Sequence, residues 1–234
     1  MIDVHCHILP GIDDGSRNVE ESMEMVREAY KAGFTNIIST SHYIEESYNV
    51  PKARRQELID MLNSKIEQEG MNIKIYNGAE AYITPNLVEL IKAEELPTMN
   101  GTKYLLMELP MHNQIFNLES IVSKVINQGI TLIIAHPERY DIVQKNYKVL
   151  NELAEMGVLF QANYGSCIGQ YGKEAEKALK KLLKANRISF LGTDCHRAAG
   201  SIYKKMPEIL KKLEKMIGKE KLEELTTTNP QKLL

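Results

Sequence analysis

The sequence predicts an α/β barrel with about seven strands, and three observations carry that expectation. Amphipathic helical segments alternate with short apolar runs along the whole chain. Such alternation implies parallel strands joined by right-handed crossovers. Histidines and carboxylates gather where the apolar runs end, and those ends share one face of a parallel barrel. A nucleotide-binding open sheet gets no support, because neither G-x-G-x-x-G nor a Walker A motif is present.

The elements follow in order. IDVHCH opens as the first strand. Residues 20–32 carry Met23, Val26 and Tyr30 at near-helical spacing, and Gly33 suits the left-handed position after a helix. FTNIISTSH is the second strand. Residues 51–69 form the next helix, with Pro51 expected at its first position and Leu58, Leu62 and Ile66 on one face. NIKIYNGAE follows Gly70, and a short helix near 86–93 precedes YLLMEL. Residues 118–128, bearing Ile121, Val122, Val125 and Ile126, lead through Gly129 to TLIIAHPER. Helix 146–156 leads to VLFQAN, and helix 173–185 to ISFLGTDCH. The Lys-rich stretch 204–215 reads as a solvated outer helix. No linker or composition break divides residues 1–234, so one domain is expected.

The chain has 234 residues, 43% hydrophobic and 26% charged, with a formal net charge of -2. That composition excludes global disorder and offers no basic field for nucleic acid. Three cysteines argue against a disulfide framework and fit a reducing compartment. MIDVHCHILPG has neither the basic nor the apolar region of a signal peptide, and no apolar run approaches bilayer length. A cytoplasmic protein without membrane insertion is expected, its oligomeric state left open.

Five of the six histidines fall at or just past predicted strand ends: His5, His7, His42, His136 and His196. Asp14, Glu80, Glu108 and Asp194 occupy similar positions. Strand side chains alternate, so His5 and His7 point the same way and Cys6 the opposite way. Asp194-Cys195-His196 repeats the pattern at the last strand. Lone core histidines do not converge like this, and nine such ligands suffice for two or three ions. Imidazole and carboxylate donors without thiolate suit manganese, iron or zinc over calcium. Adjacent cations of this kind hydrolyse phosphoesters or amides. Spacing alone leaves Asp13 and Asp14 open as alternatives.

Arg139 and Arg197 each follow a histidine at the same rim, where guanidinium forks match phosphate oxygens. None of the three cysteines has the arginine six positions later that thiol phosphatases need: those positions hold Ile12, Lys173 and Ser201. Cys6 and Cys195 read as small buried hydrophobes. His112, after Pro110, reads as a surface histidine.

DVHCHILPGIDDGS, SH at 41–42, NGAE at 77–80, MELP at 107–110, AHPER at 135–139 and GTDCHR at 192–197 span nearly the whole chain in order. In these motifs the chain resembles the manganese-dependent protein-tyrosine phosphatases of bacterial capsule and exopolysaccharide clusters (CpsB/YwqE type), of the polymerase and histidinol phosphatase (PHP) superfamily. The resemblance implies a distorted TIM-like (β/α)7 barrel, the PHP fold. It implies one ion on His5, His7, Glu80 and Asp194, and a second on Glu80, Glu108 and His136. A third would lie on Asp14, His42 and His196, which selects Asp14 over Asp13. Arg139 and Arg197 would grip the phosphate. The implied partner is the phosphotyrosine tail of a bacterial tyrosine kinase. Two other readings stand beside it: a small-molecule phosphoesterase of the histidinol-phosphate type, and a non-catalytic metal-binding barrel that docks on a kinase.

Overall fold

In the computed structural model, which describes residues 1–112 and 117–234, the apolar runs become parallel strands around a barrel. One ladder joins β1 (Ile2–Cys6), β2 (Asn36–Ser39) and β4 (Lys74–Tyr76). The other runs β3 (His42–Tyr43), β5 (Glu80–Tyr82), β6 (Tyr104–Glu108), β7 (Thr131–Ala135), β8 (Leu159–Asn163) and β9 (Phe190–Gly192).

Nine strands thus stand among the described residues where about seven were expected, because two of the expected strands are broken. FTNIISTSH holds β2 and ends on the first residue of β3, and NIKIYNGAE holds β4 and ends on the first residue of β5. Backbone bonds carry the barrel across both breaks: Thr40 N–H donates to Cys6 O at 2.9 Å, and Glu80 N–H to Thr40 O at 3.0 Å. A Cβ on Gly78 would lie 2.9 Å from Ser39 O, so only glycine lets the third stave pass the second this closely. β1 meets β9 through a parallel Cys6–Cys195 bridge and a His7 N–H bond to Cys195 O at 3.0 Å. Seven staves therefore close the barrel.

The outer helices are α1 (Val19–Lys31), α2 (Lys52–Gln68), α3 (Leu87–Lys92), α4 (Leu118–Ile126), α5 (Asp141–Lys145), α6 (Asn151–Glu155), α7 (Gly172–Lys184), α8 (Met206–Ile217) and α9 (Lys219–Glu223). Asn18 caps α1 by accepting from Glu21 N–H, and Gly33 lies just beyond its end at φ +88°. Pro51 precedes α2 in an extended conformation rather than occupying its first turn. The segment 146–156 is not one helix but a 3₁₀ turn, Tyr147–Leu150, running into α6. Among the described residues no helix is long and apolar enough to cross a membrane.

Two apolar clusters follow from strand alternation. Ile2, Val4 and Ile38 of the β1–β2 pair pack with Leu106, Ile133 and Ala135 of the β6–β7 pair and with Phe190 of β9, strands that do not all neighbour one another, so they fill the barrel's interior. Leu105, Met107, Leu132, Ile134, Phe160 and Leu191 face the helices. The interior is apolar at depth and polar where the strands end.

Candidate metal centre

A bulge in β1 places the first two ligand candidates. Asp3 pairs with Ile37 and Cys6 with Ser39, so Val4 and His5 together oppose Ile38 alone. Val4 joins the interior cluster, and His5 and His7 also turn inward with Nε2 atoms 3.2 Å apart. Cys6 packs outward among the helices, as the alternation required. The buried Asp3 carboxylate accepts from His5 N–H and Thr193 N–H, and from the hydroxyls of Thr193 and Tyr203. It stitches the bulge to the segment that carries Asp194. A Cβ on Gly192 would lie 2.6 Å from His5 Cβ, so glycine there is what gives His5 its space.

His136 and Asp194 arrive through the left-handed region, at φ +32° and +53°. Simple alternation would send His136 outward after the inward Ala135; the left-handed backbone turns it to the rim instead. Non-glycine residues held there store strain of about 1–3 kcal/mol, a cost found at functional sites.

All nine expected ligand residues converge. Donor atoms within 4.8 Å of one another form four overlapping groups: His5, His7 and Glu80; His5, His136 and Asp194; His42, Glu80 and Glu108; and His7, Asp14, His42 and His196. Glu80 is central. Its Oε2 lies 3.3 Å from both His5 Nε2 and His7 Nε2 and 3.2 Å from His42 Nδ1, while Oε1 lies 2.9 Å from His136 Nε2. Asp14 Oδ1 lies 3.7 Å from His42 Nε2 and 3.5 Å from His196 Nε2. Asp13 does not face this cluster with a free oxygen. Its Oδ2 takes the Nδ1 proton of His7 at 2.8 Å, and its Oδ1 accepts from Gly15 N–H.

Outer partners fix which nitrogen faces inward. Gln161 Nε2 donates to Asn163 Oδ1, so Gln161 Oε1 must accept the Nδ1 proton of His5 at 2.8 Å. His5 and His7 therefore present the Nε2 lone pair to the cluster. Asp194 is held similarly. Its Oδ2 accepts from Arg139 at 2.8 Å, Asn163 at 2.7 Å and Tyr171 at 3.3 Å, leaving Oδ1 toward His5 and His7.

Charge is crowded here. Burial, reinforced by repulsion from Glu80, pushes the Glu108 carboxyl up to about 8. Burial alone would lower His5, but Glu80 and Asp194 hold it up at about 9. Burial and the neighbouring His7 lower His42 to about 4. Glu80 stays well below its ordinary range despite burial, held there first by His5. His42 Nδ1 and His136 Nδ1 are buried without a hydrogen-bond partner. Four carboxylates, five imidazoles and orphaned ring nitrogens in one barrel mouth fit divalent cations with oxygen and nitrogen ligands.

Arg139 and Arg197 line one cavity of about 270 Å³ with Tyr171, Asp194 and His196. They differ in what holds them: Arg139 binds Asp194, whereas Arg197 Nη1 lies 3.5 Å from Glu21 Oε2. Glu138 is not the surface partner its position beside Arg139 suggests. It is fully buried, accepting from Asn163 N–H and Ser166 Oγ. His112 stays exposed against Asp141.

Sequence reasoning missed several supports. Gln161 and Asn163 share the strand-end position of the candidate ligands, with period-two spacing, and that signal was there to read. Arg55 gave none: it is buried within α2 and donates to Ser41 O at 2.8 Å and Val50 O at 2.9 Å, and to His42 O, which fixes the stretch that presents His42.

A sequence profile described as capsular polysaccharide synthesis, CpsB/CapC, matches residues 1–234. The chain belongs to the CpsB/CapC family. It is 33% identical over 234 residues to the tyrosine-protein phosphatase YwqE of Bacillus subtilis (strain 168), covering 100% of this chain and 91% of that one. It is 31% identical over 239 residues to the tyrosine-protein phosphatase CpsB of Streptococcus pneumoniae, covering 100% and 98%. Among solved structures, one from a study of YwqE and CpsB as metal-dependent tyrosine phosphatases superposes with a TM-score of 0.89 at 33% identity, covering 95% of this chain and 90% of the other. The histidinol phosphate phosphatase of Lactococcus lactis shares the fold alone, with a TM-score of 0.59 at 17% identity over 96% and 94% of the two chains. The barrel is thus that of the CpsB/CapC family, and its fold is shared with the histidinol phosphate phosphatase.

Proposed function

We propose that this CpsB/CapC-family chain is a metal-dependent protein-tyrosine phosphatase of capsule or exopolysaccharide synthesis. The observation that carries the reading is the convergence of nine nitrogen and oxygen ligands beside two arginines, in a chain alike to tyrosine phosphatases from end to end. The substrate is phosphotyrosine on the tail of a bacterial tyrosine kinase, and the setting is the cytoplasm.

His5, His7, Glu80 and Asp194 would hold one ion, and Glu80, Glu108 and His136 a second, with Glu80 shared. Asp14, His42 and His196 would hold a third. His42 also lies 3.9 Å from Glu108, so it borders both of the latter sites. Manganese is the proposed metal, as the family resemblance implies; iron and zinc are alternatives that the same nitrogen and oxygen donors would also take. Bound there, such ions supply Lewis acidity, lowering the pKa of a nearby water and drawing charge from the phosphoryl oxygens.

The chain's own residues do the rest. Asp13 and Gln161 keep the imidazoles of His7 and His5 in the tautomer that points Nε2 inward. Arg139 and Arg197 face the cavity and offer fixed donors to phosphoryl oxygens, which stabilises charge without reorganisation. No thiol takes part: burial raises Cys6 well above its ordinary range and Cys195 to about 11, so both stay protonated.

Hydrolysis of a phosphotyrosine peptide, a phosphoserine peptide and histidinol phosphate by the purified protein tests the substrate. Preference for the phosphotyrosine peptide is expected. Preference for histidinol phosphate would move the chain to small-molecule chemistry, and no turnover of any of them would leave a docking barrel.

A further inference from the structure

Tyr171 stands in the short turn between the 3₁₀ segment Tyr164–Ile168 and α7. Its ring lies under the Arg139 guanidinium, whose Cζ is 4.5 Å from the ring centroid. Its hydroxyl donates to Asp194 Oδ2 at 3.3 Å, the oxygen that also accepts from Arg139 Nη1 at 2.8 Å. Tyr171, Arg139 and Asp194 therefore form a closed triangle on the wall of the cavity they share with Arg197.

We propose that Tyr171 is a positioning residue, whose ring face holds Arg139 in the pose that presents its guanidinium to the substrate phosphate. This rests on the phosphatase reading above. Arginine is long and about a quarter of its side chain is exposed at this position, so without a support it samples several rotamers. A single hydrogen bond to Asp194 fixes one nitrogen but leaves the plane of the guanidinium free to turn about it. A ring face under the guanidinium carbon restricts that freedom before substrate arrives, and an aromatic face is a contact that guanidinium makes well. The hydroxyl bond to Asp194 is the longer and lesser part: Asp194 Oδ2 has two shorter donors, Arg139 and Asn163.

The test compares Tyr171→Phe, which keeps the ring, with Tyr171→Leu and Tyr171→Met, which remove it. Each is assayed for folding by thermal melt, metal-to-protein ratio, kcat and KM on one phosphotyrosine peptide, and competitive inhibition by inorganic phosphate. The parent's turnover of that peptide is the control; its absence defeats the phosphatase reading itself and this inference with it. With an active parent, Tyr171→Phe should stay within about threefold. The two aliphatic variants should lose on the order of tenfold in kcat/KM and bind phosphate more weakly by a similar factor, the size expected of one cation–π contact. Their metal content should match the parent's. The proposal is overturned if both aliphatic variants match the parent, or if Phe loses as much as they do, which would assign the effect to the hydroxyl. Loss of metal in step with activity would overturn it too, making Tyr171 a prop for Asp194 alone. Should one aliphatic variant fail to fold, the other carries the comparison.

Discussion

Asp13 Oδ2 accepts the Nδ1 proton of His7 at 2.8 Å, and the same oxygen accepts the backbone N–H of His42 at 2.8 Å. One carboxylate outside the candidate cluster thus aims two candidate ligand positions that lie 35 residues apart in sequence. Asp13→Asn should weaken metal binding about 10- to 100-fold, as loss of an outer carboxylate on a ligating histidine does. Metal titration followed by competition with a chelator measures this. Unchanged affinity would mean that His7 needs no such partner.

Gly192→Ala should damage the site without touching a ligand. The new Cβ would meet His5 Cβ at 2.6 Å, and neither backbone can yield easily inside the barrel. A loss of about 1–3 kcal/mol in stability is expected from overpacking, with a lowered metal-to-protein ratio. Thermal melts with metal analysis check it; a variant that keeps full metal content would show that His5 has room to move.

The two arginines should separate. Arg197→Ala should keep its metal and lose on the order of 10²-fold in kcat/KM, the scale of one missing electrostatic donor. Arg139→Ala should lose a similar factor and also retain metal less well, because Asp194 Oδ2 loses its Arg139 donor. Kinetics paired with metal content distinguish them. If both variants keep metal equally, the Arg139–Asp194 bond does not support the ligand.

Cysteine chemistry should be dispensable. Cys6, Cys167 and Cys195 are all buried, and burial raises each thiol. A triple Cys→Ser variant should retain most of its turnover, and alkylating reagents should leave the folded parent active. Collapse of activity in a folded, metal-loaded triple variant would restore a thiol mechanism.

The candidate ligands were legible because a parallel barrel gathers strand ends: eight of the nine lie at or near the ends of the expected strands, and Asp14 lies in the loop after the first. What hid from the sequence was what depends on pairing across the chain. Thr193 and Tyr203 meet Asp3 only after the barrel closes, and nothing local marks Asp3 as the residue that stitches the bulge. Arg55 sits in KARRQ, indistinguishable there from its exposed neighbour Arg54. The breaks in two expected strands coincide with polar and glycine residues, 39–41 and 77–78, that end their apolar runs; close backbone approach there, not hydrophobicity, carries the path onward. His136 shows the opposite case: its position was expected at the rim, yet alternation would have faced it outward, and only a left-handed backbone puts it there.

Chelation followed by add-back of single ions is the most direct test of the metal-dependent mechanism. The parent, His5→Ala and Glu80→Ala should be stripped, verified metal-free, and assayed on one phosphotyrosine peptide before and after addition of Mn²⁺. The stripped parent should be inactive and regain turnover with Mn²⁺, while both variants stay inactive and bind less metal. Full turnover by the verified metal-free parent would contradict the account.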